Sequence, residues 1–233
     1  MKNFGYVLVI GLFLTVVGCN QVDDQAMTNG VPDDYERIYE TSEPEGVPED
    51  GTVPDLTNVS EEPGVDMVAQ WAAPLDRIGE REIKKPFGIY IEPANSLVQP
   101  ERFQGYHTGV DFEVLGDETD VMVRSVCAGR VLVKQFVSGY GGVLVTSCLL
   151  DGQPITVLYG HLDLNSIGLS EWDEVGVGQD IGWLGDGFTE ETDGERKHLH
   201  LGFHKGEAVK YAGYVGNEAD LANWIDPCDY VCR

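Results

Sequence analysis

Four of the five histidines in this sequence fall in three short segments crowded by glycine. The first is Gly105-Tyr106-His107-Thr108-Gly109-Val110-Asp111-Phe112, the second Leu158-Tyr159-Gly160-His161-Leu162, and the third Lys197-His198-Leu199-His200-Leu201-Gly202-Phe203. His107 and Asp111 are four apart, a spacing that returns to the same face of a strand, so both can point at one ion. On a strand, His198 and His200 project to one side while Leu199 and Leu201 project into the core. A His-x-His pair of this kind supplies one metal ligand and one neighbouring base. Zinc catalysis requires three protein ligands, an open fourth position for water, and a group to take that water's proton. Two nitrogens, one carboxylate and two spare imidazoles meet that requirement. Taken singly each piece is weak, because a lone strand histidine is more often structural than a ligand; together they are specific.

Such side chains must be carried by rigid elements, and the sequence from Met67 onward provides them. Apolar runs rich in Val, Ile and Tyr, broken by glycine and charge, cover Gly88–Glu92, Val121–Val126, Arg130–Val137, Gly142–Leu150, Thr156–Tyr159 and His198–His204. Their shortness predicts strands, hence a mainly antiparallel β domain. Ser138-Gly139-Tyr140-Gly141-Gly142 has the glycines a hairpin loop needs. Cys127 and Cys148 stand almost symmetrically about it, so a cross-strand disulfide is sterically reasonable. Asn217, Glu218 and Asp220 followed by the Leu221, Trp224 and Ile225 spacing predict one short helix near the end, after which Cys228 and Cys232 would clip the C-terminus. Those four cysteines suit two disulfides in an exported protein, with four buried thiols as the alternative.

The start of the chain supplies the compartment. Lys2, the apolar stretch Phe4 to Val17 and the small Gly18 read as an export signal over residues 1–19. Val16-Val17-Gly18-Cys19 resembles the bacterial lipobox, which implies a lipid on Cys19 and a membrane anchor; the apolar run is short for a span of about 20 residues. Residues 20–66 hold 14 acids, one base and five prolines, and read as a disordered tether. As a flexible coil it would span roughly 40 Å. Residues 67–233 are the folded domain. The whole chain of 233 residues has 40 Asp and Glu against 15 Lys and Arg, a formal charge of −25, which argues against nucleic acid as a partner.

The order His-x3-Asp, glycine-tyrosine-glycine hairpin, Tyr-x-His-Leu and His-Leu-His resembles the LytM or lysostaphin-type zinc endopeptidases that cut peptidoglycan cross-bridges. The resemblance runs from about Pro86 to Phe203, including Asp180-Ile181-Gly182-Trp183-Leu184-Gly185. It implies an antiparallel β-sheet sandwich or split barrel, one zinc per chain on His107, Asp111 and His200, and His161 and His198 as the groups that orient and deprotonate water. Peptidoglycan peptides are the implied substrate, and the cell-wall side of a bacterial membrane the implied location. His204 matches no motif position and is expected at the surface; Tyr106 and Tyr140 are expected to serve packing more than the groove. One departure stands out: where the family has a short Gly, Ser and Thr turn before its last motif, Gly185 to Lys197 is longer and highly charged. This loop is expected to border the groove, with a solvated insertion as the alternative. A wall-binding protein without turnover is the competing function, but members of that kind generally lack some ligands and none is missing here. A structural zinc site would need four Cys or His ligands, and the cysteines are not spaced for it.

Overall fold

The computed structural model describes residues 70–232, which lie within the second of the two units into which the chain divides, Glu61–Arg233. The export signal, the Cys19 anchor and the tether lie outside the described residues. Among those described, no helix is long and apolar enough to cross a membrane.

The strands are β1 (Ile83–Lys85), β2 (Tyr90–Ile91), β3 (Gly105–His107), β4 (Gly109–Glu113), β5 (Met122–Arg124), β6 (Gly129–Val137), β7 (Gly141–Leu150), β8 (Gln153–Leu162), β9 (Glu174–Val175), β10 (Asp180–Trp183), β11 (His198–Lys205), β12 (Tyr214–Val215) and β13 (Trp224–Ile225). They form a mainly antiparallel β domain. Its largest sheet runs β1-β4-β11-β8-β7-β6-β9, with β13 added to β11; β12-β3-β2 and β10-β5 form two smaller sheets. The central three strands carry the alternation that builds the core. Val110 and Phe112 of β4, Leu199, Leu201 and Phe203 of β11, and Val157 and Tyr159 of β8 are fully buried on one face. Each such aliphatic or aromatic side chain contributes about 1.5–3 kcal/mol on burial.

The hairpin β6–β7 turns at Ser138–Tyr140 as the glycines predict, and Gly139 and Gly141 take φ of +93° and +74°, backbone that favours glycine. Cys127 and Cys148 are bonded across it, and Cys228 is bonded to Cys232. Several predicted runs have other limits. Gly88–Glu92 keeps only Tyr90–Ile91 as strand, whereas Thr156–Tyr159 extends to Gln153–Leu162 because both its edges pair, with β7 and with β11. The helix near the end is a 3-10 turn, Glu218–Asn223, capped by the Asn217 side chain accepting from the Asp220 amide. Trp224 and Ile225 leave it to pair with His204 and Phe203 as β13. A short α-helix, α1 (Cys228–Val231), closes the described chain.

Candidate metal centre

Pairing of β11 between β4 and β8 places the chemistry. The register sets His200 opposite Asp111 on one side and opposite Gly160 on the other, and His198 opposite Glu113. His198 and His200 therefore share one face while Leu199 and Leu201 fill the core, as the alternation predicts. His107 arrives differently. It ends β3, the chain turns at Thr108, and Asp111 lies on β4 in another sheet. The two side chains meet across a bend rather than along one strand, which corrects the single-strand reading of their spacing. Gly109 allows the close approach: a Cβ there would stand 2.7 Å from His200 Nε2. Gly160 does the same for Tyr140, whose Cδ1 would be 2.5 Å from an added Cβ.

The three expected ligands converge. Asp111 Oδ1 lies 3.3 Å from His107 Nε2 and 3.0 Å from His200 Nδ1, and the two nitrogens are 3.1 Å apart. All three residues are buried. With metal–nitrogen and metal–oxygen bonds of about 2.0–2.2 Å, the edge of a tetrahedral zinc site is about 3.3 Å. The triangle observed has that size, so the donor set fits one zinc ion.

Backbone partners set the imidazole tautomers. A carbonyl can only accept, so His107 Nδ1 donates to Pro86 O at 3.3 Å and leaves Nε2 unprotonated toward Asp111. Likewise His198 Nδ1 donates to Arg196 O at 2.8 Å, leaving its Nε2 as a base. His200 Nε2 is 3.3 Å from the Tyr140 hydroxyl, which fixes the ring from the far side. Burial lowers the His200 pKa to about 4, and burial first, then the neighbouring His198, holds His161 well below the usual imidazole value. Burial alone would raise the Asp111 carboxyl, but the His198 and His107 imidazoles overcome it and hold it well below the usual range. His200 thus presents a lone pair and the aspartate a charge, the states a metal needs.

His161, next to last in β8, has φ +65°, a left-handed conformation that costs a non-glycine residue. Its carbonyl accepts the Gly185 amide at 2.8 Å, and its ring packs at a tilt of 39° against His198 with centroids 4.1 Å apart. Its Nδ1 is buried without a partner, an orphan donor or acceptor beside the triangle.

The cleft over these groups, about 250 Å³, is also lined by Lys85, Phe103, Tyr140, Arg196 and Tyr214. Tyr140 is thus part of the site as well as the packing, while Tyr106 packs on Tyr90 with centroids 4.8 Å apart. His204 is not simply a surface residue: its ring packs edge-on against Trp224 at 4.9 Å. Sequence reasoning did not single out Lys85, Tyr214 or Arg196. Lys85 Nζ donates to the Tyr214 hydroxyl at 3.0 Å and pairs with Glu101 at 2.6 Å, buried on both sides. No local pattern announces such a pair, because its members are far apart in the chain. The charged loop did carry a signal, since its end reaches the site.

A buried His-Asp-His triangle with two further imidazoles, on antiparallel strands, is a group of side chains that could hold a metal ion. Residues 105–211, which include all five of these side chains, match the model of peptidase family M23. Over these residues the chain is thus similar to peptidase family M23. Among solved structures it is similar to Csd3 of Helicobacter pylori, at 22% identity over 69% of this chain and 34% of that one, with a TM-score of 0.43. It is also similar to lysostaphin from Staphylococcus simulans, at 18% identity over 70% and 53% with a TM-score of 0.46. A zinc-containing peptidase from Vibrio cholerae is 24% identical over 56% and 35%, with a TM-score of 0.41. The chain thus spans about a third of the length of the Helicobacter protein. No curated protein matches it.

Proposed function

We propose that this protein is a zinc-dependent endopeptidase that hydrolyses amide bonds in peptidoglycan peptides. The observation that carries the reading is the triangle of His107 Nε2, Asp111 Oδ1 and His200 Nδ1, with sides of 3.0–3.3 Å, inside the stretch that matches family M23. His107, Asp111 and His200 would hold one zinc ion. Bound there, zinc would polarise the scissile carbonyl and acidify the attacking water. His198, with Nδ1–H committed to a carbonyl, offers Nε2 to take the water's proton and return it to the leaving amine. His161, packed against His198, orients the water and donates toward the oxygen that becomes negative. Tyr140 and the walls formed by Phe103 and Tyr214 hold the peptide and keep bulk water from the reacting atoms. A binding protein without turnover would not need this complete set.

In the same reading the chain is an exported lipoprotein. A lipid on Cys19 anchors it, residues 20–66 form the acidic tether, and the domain faces the cell wall. The test is digestion of purified muropeptides by the full chain, with and without chelator, followed by mass analysis. Zinc-dependent products that gain one water per cut are expected, and the masses name the bond. Intact muropeptides from a zinc-loaded sample would contradict the proposal.

A further inference from the structure

Asp111 offers two oxygens, and only Oδ1 lies within contact of both His107 and His200. Oδ2 is engaged by the Arg196 guanidinium, whose Nη2 lies 3.0 Å away, with His198 Nε2 at 3.3 Å. Arg196 is itself immobilised. Its Nε stands 2.9 and 3.1 Å from the two Glu113 oxygens, and its Nη2 stands 2.7 Å from Glu113 Oε1. The side chain is only 11% exposed. The strand explains the arrangement: Asp111 and Glu113 are two apart on β4 and share a face. Because Glu113 pairs with His198, the residue two before His198 arrives over that end of β4. The outcome is a fixed cation shared by two buried carboxylates, at the end of the charged loop that departs from the LytM-type turn.

On the reading that His107, Asp111 and His200 hold a metal, we propose that Arg196 is a positioning residue that keeps Asp111 a one-oxygen ligand. A carboxylate free at both oxygens can chelate with both, which beside the bound water raises the coordination from four to five and takes the site away from the tetrahedral geometry. Charge-assisted bonds to a planar guanidinium oppose this, because Oδ2 would have to give up a buried partner. The fork on Glu113 prevents Arg196 from following the metal-side oxygen. A purely structural ion pair would tie the loop to β4 and leave coordination unchanged.

Cobalt(II), loaded in place of zinc into the full-length protein, distinguishes the two. Four-coordinate cobalt absorbs visible light several-fold more strongly than five- or six-coordinate cobalt. The wild-type protein is expected to show the strong band. Arg196→Met, at full cobalt occupancy, is expected to lose it several-fold, and Arg196→Lys, with the charge but one donor centre, to fall between. If Arg196→Met does not fold, Glu113→Gln, which loosens the fork, is expected to weaken the band as well. A band of wild-type strength in the folded variants overturns the inference and leaves the metal centre standing, as does a weak band in the wild-type protein with cobalt bound. Failure of the wild-type protein to take up cobalt overturns the metal reading itself.

Discussion

His161 and His200 differ in what they touch, and the difference is measurable. His200 faces Asp111 and His107, whereas His161 packs against His198 and leaves Nδ1 without a partner. His161→Ala should therefore keep its zinc and lose about 10²–10⁴-fold in hydrolysis rate. Metal content and muropeptide turnover, measured on one preparation, check both halves; loss of zinc would make His161 a ligand. Burial of the same two imidazoles has a consequence for stability. The unfolded chain protonates both near the ordinary imidazole value of 6.5, whereas folded His200 stays neutral down to about 4 and His161 well below its usual value. Protons then favour the unfolded state, so the metal-free protein loses stability as pH falls from 6.5 toward about 4 and gains nothing from these groups above 6.5. The Asp111 carboxyl, held well below the ordinary carboxylate value of 3.8, adds a loss only at still lower pH. Thermal unfolding of the metal-free protein should give a lower Tm at about pH 5 than at about pH 7; equal values would contradict it.

At the scale of elements, the loop before β11 ties together the rims of the cleft. Glu195 accepts from Arg102 at 2.7 Å, and the Asp193 carboxylate accepts from the Gly139 amide at 2.6 Å. Arg102 and Gly139 belong to two different segments that line the cleft, the one before β3 and the β6–β7 turn. Replacing Asp186–Glu195 by a short Gly/Ser turn should thus change the set of muropeptides cut, read by mass analysis; identical products would reduce the loop to a solvated insertion. The two disulfides should differ in weight. Cys127 and Cys148 are 21 apart and Cys228 and Cys232 only 4, so loop entropy assigns about 3 kcal/mol to the first and about 2 kcal/mol to the second. Urea unfolding of the two double Cys→Ala variants would show the larger loss for the first pair, and the reverse order would refute the assignment. The strands of this region were legible because their alternation and the glycine turn are local signals. The break at Thr108 was not, since nothing local separates two strands of three and five residues from one continuous strand. The 3-10 character of Glu218–Asn223 was also hidden, because the cap and spacing that mark it serve an α-helix equally well.

At the scale of the whole molecule, the site is assembled by register. Asp111, His200 and Gly160 lie side by side only because β11 is held between β4 and β8, so the five motif residues were readable in sequence as a set but not as a geometry. Arg196, Lys85 and Tyr214 were not readable as site residues, since each acts through a partner on another element. The formal charge of −25 belongs to the chain as a whole and leaves the cleft with its own balance of Lys85, Arg196, Asp111 and Glu195. The central claim is that three of these distant residues close on a single ion. Zinc bound per chain, measured by elemental analysis after dialysis, tests it most directly. One equivalent in the wild-type protein and none in folded His200→Ala is the predicted result; equal zinc in both, or none in either, would contradict it.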